Sequence, residues 1–331
     1  MTAVFFGCGS TPGASVSKPA EAESHRDVSV AAPVSAASVA EVSSADTAPL
    51  SEAASVPAPS YDNTPKVLIP AASGTAAGGT ENVTVDTSNA AEGYFMVLYG
   101  GNDADPKIIL TTPSGENYYY HLHNTGNYET FPLTGGDGDY TIQIMRNVTG
   151  DQYALEYSET ISVTMPDPLK VYLYPSQYVN FNPSTAAVAK GAELSANASD
   201  ELDAVGRIYS FLAENIKYDY DKANSVKSGY APNVDDTLTQ KKGICFDYAA
   251  LMATMLRTQG IPTRLEVGYA GTAYHAWIST HISEIGWVNG IIQFDGQNWT
   301  LMDPTMAAAK GEKNVVDYIG DGSNYQTKYI Y

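Results

Sequence analysis

The chain has 331 residues, 44% of them hydrophobic, and its 37 Asp and Glu residues against 18 Lys and Arg residues give a formal net charge of −19. This length suits about two domains, and without clustered Lys and Arg to neutralise phosphates the sequence excludes a nucleic-acid partner. Its two cysteines, Cys8 and Cys245, are too few for a disulfide scaffold; no close Cys or His pairs suggest a zinc site, and no apolar run reaches the ~18 residues of a transmembrane helix.

The first eight residues end in Gly7 and Cys8, after a short apolar run from Ala3 to Phe6. This start resembles the end of a bacterial lipoprotein signal, in which the cysteine becomes lipidated, although the charged beginning and the full apolar segment of such a signal are missing. We therefore expect residues 1–8 to be the remnant of a lipoprotein-type signal. Membrane attachment through lipidated Cys8 would put the chain outside the cell, on its surface. The alternative is a disordered start with an accidental Gly-Cys.

Residues 9–65 are rich in Ala, Ser, Val, Pro and Glu and contain no aromatic residue before Tyr61. The segment has no steady period of a strand or a helix, and such a composition cannot bury enough apolar surface to offset the entropy of ordering. We expect a disordered tether that holds the following domains away from a membrane or wall.

Residues 66–165 contain short β-prone runs, such as "GYFMVLYGG", "KIILTTPSG" and "DYTIQIMRN", separated by Gly- and Asp-rich turn signals. Turns at roughly ten-residue spacing between short strands favour an immunoglobulin-like β-sandwich. In one run Tyr140, Ile142 and Ile144 alternate with polar or flexible residues, which predicts one buried face. The module is expected to be a spacer or a unit that binds substrate or wall.

His121 and His123 lie two residues apart in one of these runs. They would face the same side of a strand and supply half of a metal site, but no partner ligands are visible, and the Gly/Asp-rich segments lack the spacing of a calcium loop. The prediction is therefore no metal site and no cofactor.

Residues 166–331 form the second expected domain, of mixed helix and strand. In "SDELDAVGRIYSFLAENIKYDYD", apolar residues at helical spacing predict an amphipathic helix that Ser199 or Asp200 caps. The stretch "VKSGYAPNVDDTLTQKKG" that follows is interpreted as a loop.

Cys245 stands at the start of a second predicted helix. Ala249, Met252 and Leu256 share a stripe with it, and Gly260 and Pro262 mark the end. The partial positive charge of a helix N-terminus stabilises a thiolate and so lowers the thiol pKa. The backbone N–H groups of the first turn could also hold an oxyanion. Taken alone, however, a buried cysteine is more often structural.

Two later segments supply the partners that a nucleophile needs. His275 lies in the predicted strand "AYHAWISTHI", and Asp303 ends the second strand of a predicted hairpin that turns at Asp295-Gly296. Cys, His and Asp thus come in the order nucleophile, base and orienter of acyl transfer. Alternatively, His275 is a packing residue and Asp303 only starts a turn.

The segments "GICFDYAALMATMLRTQGIPTRLEVGY", "YHAWI" and "WTLMDPT" resemble the core of the transglutaminase-like superfamily, a papain-like group of cysteine enzymes. The resemblance covers residues 199–305, roughly a third of the chain. It implies an α+β fold, with the cysteine helix packed on an antiparallel sheet. It also implies Cys245 as nucleophile, His275 as base and Asp303 as orienter.

Secondary roles, or none, are predicted for other residues near these blocks. Family members often have an aromatic oxyanion donor upstream of the cysteine, so Tyr218 is a candidate, although Tyr218 and Tyr220 could both simply line the cleft. Trp277 is expected to pack beside the site. His281 lacks the His-Ala-Trp context, and Asp247 is interpreted as a first-turn helix charge rather than the orienter.

The expected reaction is attack on an amide of a protein or peptide substrate, including cell-wall peptide, through a thioester intermediate. The resemblance favours a peptidase or amidase. A transglutaminase that joins glutamine to an amine is the first alternative. A non-catalytic surface protein with a degenerate cysteine domain is the second.

Overall fold

The computed structural model describes residues 61–289, 291–294, 299–302, 304–305 and 325–331. Cys8 and most of the predicted tether, up to residue 60, lie outside the described residues. Residues 61–65, the end of the predicted tether, and Lys66 lie against the later helices. Tyr61 donates its hydroxyl to the Gln259 carbonyl at 3.1 Å, and the Lys66 N–H donates to the Thr258 carbonyl at 2.7 Å. Within the described ranges, no helix combines the length and hydrophobicity needed to cross a membrane.

The first half of the described chain forms two four-stranded antiparallel sheets. The strands of the first sheet, in spatial order, are β1 (Ala77–Gly79), β2 (Val83–Asp86), β3 (Tyr94–Tyr99) and β6 (Glu129–Pro132). Those of the second, in spatial order, are β5 (Asn117–His121), β4 (Lys107–Thr111), β7 (Gly138–Thr149) and β8 (Gln152–Val163). Short 3-10 helices cover Ala90–Glu92 and Lys170–Tyr172.

The alternation predicted for β7 is present. Tyr140, Ile142 and Ile144 are fully buried, while the residues between them are partly exposed, because successive strand side chains point to opposite faces. Tyr120 and Phe131 join the two sheets, with ring centroids 5.0 Å apart. The two sheets therefore share one apolar interior.

The two histidines of this module bind different carboxylates. His121 Nδ1 lies 2.5 Å from Asp105 Oδ1, and His123 Nδ1 lies 3.0 Å from Glu129 Oε2. In the part of the chain that the structure describes, no three or more His, Cys, Asp or Glu residues are grouped as a metal site requires.

The second half begins with helices. They are α1 (Ala186–Ser195), α2 (Glu201–Asn215), α3 (Tyr220–Ser225), α4 (Val234–Gln240) and α5 (Cys245–Arg257). A short parallel pair, β9 (Lys217–Tyr218) and β10 (Lys242–Gly243), joins the end of α2 to the segment before α5.

An antiparallel sheet follows, in the order β13 (Gly286–Asn289), β12 (Ala273–Ile282), β11 (Thr263–Ala270) and β16 (Tyr325–Ile330). Helix α5 packs against β11 and β12. Strands β14 (Ile291–Phe294) and β15 (Trp299–Met302) form an antiparallel hairpin, as predicted. A cysteine helix on an antiparallel sheet, preceded by a sheet module, confirms the α+β fold class.

The helix predictions were right for α2 and wrong for the following loop. Asp200 caps α2 by accepting the Asp203 N–H, as expected from the sequence. The stretch interpreted as a loop contains α4, which Asn233 caps by accepting two N–H groups, from Asp235 and Asp236. A helix of only two turns is too short to show a detectable apolar periodicity in the sequence. Its Asn cap, however, could have indicated the helix start.

The end of the chain packs into the core. Strand β16 adds to the edge of β11, and Tyr331 is buried, with ring centroids 5.6 Å from Tyr118 and 4.9 Å from Tyr178. Tyr178 in turn lies 5.2 Å from Phe246, the residue after Cys245. Aromatic contacts thus run from the sandwich to the start of α5.

Candidate active site

Cys245 is the first residue of α5 and its most accessible one. Every later residue of this helix, 246–257, is buried, whereas Cys245 is half-buried. Ile244 precedes it in an extended conformation, with φ −92° and ψ 175°, and offers no side-chain cap. The first-turn N–H groups of an α-helix point out of its N-terminal end, and Cys245 lies at that end of α5.

Beside Cys245 lies a small cleft with a volume of about 30 Å³. Cys245 and His275 both line it, so the structure brings together two of the three residues that the sequence singled out. The remaining lining is mainly aromatic and aliphatic: Tyr218, Val226, Tyr230, Ile244, Phe246, Val267, Tyr274 and Ala276. An apolar lining of this kind suits a largely pre-formed ligand cleft.

His275 lies in the middle of the sheet and is 1% exposed. Its ring stacks on Trp277 at 6.1 Å between centroids and lies 6.1 Å from Tyr325. Trp277 thus packs beside His275 and is not among the residues that line the cleft. Gly268 stands opposite His275 in β11, and a Cβ there would come within 2.0 Å of the Gln326 carbonyl oxygen, so only glycine fits where β16 bulges toward β11.

Asp303, the predicted orienter, lies outside the described residues. Strand β15 ends at the preceding residue, Met302. Its role as orienter therefore stays a prediction.

Of the two tyrosines expected near the cleft, only Tyr218, the candidate oxyanion donor, lines it. Tyr218 lines the cleft, because the pairing of β9 with β10 sets it opposite Gly243, two residues before Cys245. Tyr220 is 54% exposed and packs against the outside of Tyr218, at 4.9 Å between centroids. Of the two, Tyr218 is the one near the sulfur.

The first turn of α5 contains a buried charge network that the sequence did not indicate. Asp247 is fully buried, and its Oδ2 accepts hydrogen bonds from the Lys222 Nζ at 2.7 Å and from the Ile244 N–H at 2.8 Å. Its Oδ1 accepts the Tyr230 hydroxyl. From the sequence, Asp247 was predicted to be an ordinary first-turn charge. The only sequence features that could have indicated this network were Gly243 and the lysine of "DYDKANS". An added Cβ at Gly243 would lie 2.6 Å from the Asp247 Cβ.

Two of the cleft tyrosines, Tyr230 and Tyr274, are held in their neutral form. Burial, followed by the negative charge of Asp247, raises the pKa of Tyr230 far above its ordinary value. Burial also raises the pKa of Tyr274, with smaller contributions from Tyr329 and Tyr269. Both hydroxyls therefore remain hydrogen-bond donors at neutral pH.

Residues 188–290 match the sequence model of the transglutaminase-like superfamily. This match confirms the resemblance seen in the cysteine and histidine blocks; the matched range ends before Asp303. Over 112 residues the chain is 30% identical to the UPF0252 protein MJ1282 of Methanocaldococcus jannaschii. The stretch covers 30% of this chain and 32% of the relative, so the chain spans about a third of that relative's length.

Two solved structures are similar at low identity. The periplasmic domain of TgpA from Pseudomonas aeruginosa is 17% identical, with a TM-score of 0.32 over 75% of this chain and 81% of that one. The red sea bream transglutaminase is 14% identical, with a TM-score of 0.30 over 66% and 49%. Because both TM-scores are low, the assignment depends on the match of residues 188–290.

Proposed function

We propose, from the transglutaminase-like domain that residues 188–290 form, that the chain is a cysteine-dependent hydrolase of amide bonds in peptides or proteins. One observation carries the proposal. Cys245 is the one partly exposed residue of an otherwise buried helix, it lines the cleft, and His275 lines the same cleft. A nucleophile at a helix N-terminus beside a base is the arrangement that acyl transfer requires.

The proposed reaction has two halves. The Cys245 thiolate attacks the amide carbon, the first-turn N–H groups of α5 stabilise the oxyanion, and protonated His275 gives its proton to the leaving amine. A thioester to Cys245 remains. Neutral His275 then takes a proton from water, the resulting hydroxide attacks the thioester, and a carboxylic acid and the Cys245 thiol are released. Asp303 would orient His275.

Water is taken as the acceptor because it needs no second binding site. A cross-linking enzyme would have to hold a lysine amine against the thioester as well. The apolar cleft lining suits an uncharged segment of substrate beside Cys245.

The test compares wild type, Cys245→Ala and Cys8→Ala with casein and a fluorescent primary amine. We expect wild type and Cys8→Ala to release casein fragments without incorporating amine. Cys245→Ala should lose at least about 1,000-fold of this activity, as expected for removal of a nucleophile. Amine incorporation that depends on Cys245 would instead establish a transferase.

A protein that is inactive in both assays would contradict the proposal if its thiol is also ordinary. Cys245 would then react with iodoacetamide near pH 6 no faster than an unperturbed thiol, whose pKa is about 8.5.

A further inference from the structure

The Asp247 carboxylate raises an electrostatic difficulty for the proposed reaction. It lies in the first turn of α5, two residues after Cys245 in the chain, and it is fully buried. A helix N-terminus carries roughly half an elementary positive charge, whereas a carboxylate carries a full negative one. An uncompensated Asp247 would therefore outweigh the helix and disfavour a thiolate on Cys245.

Lys222 supplies the compensating charge. Its Nζ donates to Asp247 Oδ2 at 2.7 Å and lies 4.5 Å from the centre of the Tyr230 ring. Its side chain is only 30% exposed. A charge-assisted bond to a buried carboxylate is screened much less by salt than a surface pair.

The position of Lys222 is itself fixed. Helix α3 begins with Asp219 as its cap, which accepts the Lys222 N–H at 3.0 Å. Asp219 in turn pairs with Lys242 Nζ at 2.9 Å, on the strand that leads to Cys245. Two carboxylates and two ammonium groups thus balance each other around the start of α5.

We propose that Lys222 is a positioning residue for the proposed cysteine chemistry. By neutralising Asp247, it lets this carboxylate hold the Ile244 N–H and the Tyr230 hydroxyl without cancelling the positive end of α5 that favours the Cys245 thiolate. This inference rests on the proposed function for its purpose, but the charge coupling that it asserts exists without any substrate.

The other titratable groups near the sulfur are the remaining cleft residues, namely Tyr218, Tyr230, Tyr274 and His275. Asp236, on α4, adds a negative charge near Tyr230. All of these stay unchanged in the variants below. A difference between the variants therefore reports the Lys222–Asp247 pair.

The test measures the thiol pKa of Cys245 in the full chain. Iodoacetamide alkylation is followed across pH, and mass spectrometry of the peptide that contains Cys245 keeps Cys8 from interfering. We expect Lys222→Met to raise the pKa of Cys245 by about one unit and Asp247→Asn to lower it. The double variant Lys222→Met/Asp247→Asn should return close to wild type, and Lys222→Arg should resemble wild type.

Lys190→Met is the matched control. It removes the same charge from the chain, but from an ion pair with Glu193 on α1. Lys190→Met should leave the pKa of Cys245 unchanged.

An unchanged pKa in folded Lys222→Met would overturn the inference. If that variant does not fold, as judged by circular dichroism, Asp247→Asn decides, and an unchanged or raised pKa there would overturn it. The proposed function fails separately, when the wild-type protein neither cleaves casein nor incorporates amine and its Cys245 titrates as an ordinary thiol.

Discussion

The interior of the sandwich and the surroundings of α5 differ in the charges they bury. The sandwich core consists of aliphatic and aromatic side chains. Its one buried charged residue among those described, Asp86, accepts the backbone N–H groups of Gly74 and Ser88, and its ion pairs lie at the rim, for example Lys107 with Asp105 at 3.2 Å. Helix α5 instead has a fully buried charged residue at each end, Asp247 and Arg257.

The difference follows from how each element meets solvent. A sandwich strand has an outer face for its polar groups, whereas α5 is buried on all sides. The polar groups at its ends must therefore find partners inside the protein. Buried charges lower stability compared with apolar packing. Their presence at the ends of α5 therefore indicates that the positions of these polar groups matter more there than the stability they cost.

The largest expected effect tests the buried end of α5 farthest from the cleft. Arg257 donates to three carbonyl oxygens, from Thr263 at 2.9 Å, Tyr174 at 2.7 Å and Tyr331 at 2.9 Å. Arg257→Met leaves all three without this donor and should lower the free energy of unfolding by about 3 kcal/mol, measured by urea denaturation.

Arg207→Met is the control for the same change of side chain at the surface. Arg207 pairs with Asp203 on the exposed side of α2. Its loss should change the free energy of unfolding little. If Arg207→Met and Arg257→Met lowered the free energy of unfolding equally, buried and exposed charges would contribute alike and the comparison would fail.

A smaller effect of opposite sign is expected inside the sandwich. Tyr120 is fully buried, and its hydroxyl has no hydrogen-bond partner among the described residues. Tyr120→Phe removes this unsatisfied group and should raise the free energy of unfolding by about 1 kcal/mol. Tyr140 is equally buried but donates its hydroxyl to the Gly136 carbonyl at 2.8 Å, so Tyr140→Phe should lower the same quantity by about 1 kcal/mol.

Thermal or urea unfolding of both phenylalanine variants checks this pair. Destabilisation by Tyr120→Phe would mean that polar groups contribute to the sandwich interior as they do around α5.

The sequence was sufficient wherever a pattern was local. Alternation along β7, the Asp200 cap and the start of α5 at Cys245 all follow from neighbouring residues. The family blocks brought Cys245 and His275 into one hypothesis, and the structure gives them one cleft.

What the sequence missed depends on contacts between distant segments. Lys222 and Asp247 stand 25 positions apart, and no periodicity links them. Arg257 resembles a favourable last-turn charge on an exposed helix, and only the surrounding sheet shows that it is buried.

The smallest expected effect concerns a rim pair of the sandwich. His123 Nδ1 lies 3.0 Å from Glu129 Oε2, and its backbone N–H donates to Oε1 at 2.7 Å. The hydrogen bond to Glu129 raises the pKa of His123 above its ordinary value, against the opposing effect of burial. Glu129→Gln should return this pKa toward the ordinary value, which NMR titration of the His123 ring measures.

The sign of the linked stability effect follows from the raised pKa. The folded state binds the proton of His123 more tightly than the unfolded state, so the stabilisation is fully present below the ordinary pKa of 6.5 and is lost as pH rises through the folded pKa. Glu129→Gln should therefore destabilise more near pH 5.5 than well above the folded pKa. Glu129 also accepts the Gln177 amide at 2.8 Å at every pH, so only the difference between the two pH values reports His123. Equal destabilisation at both pH values would show that this rim pair, whose histidine is 45% exposed, contributes nothing through its charge, and the contrast with the buried network at α5 would then be sharper still.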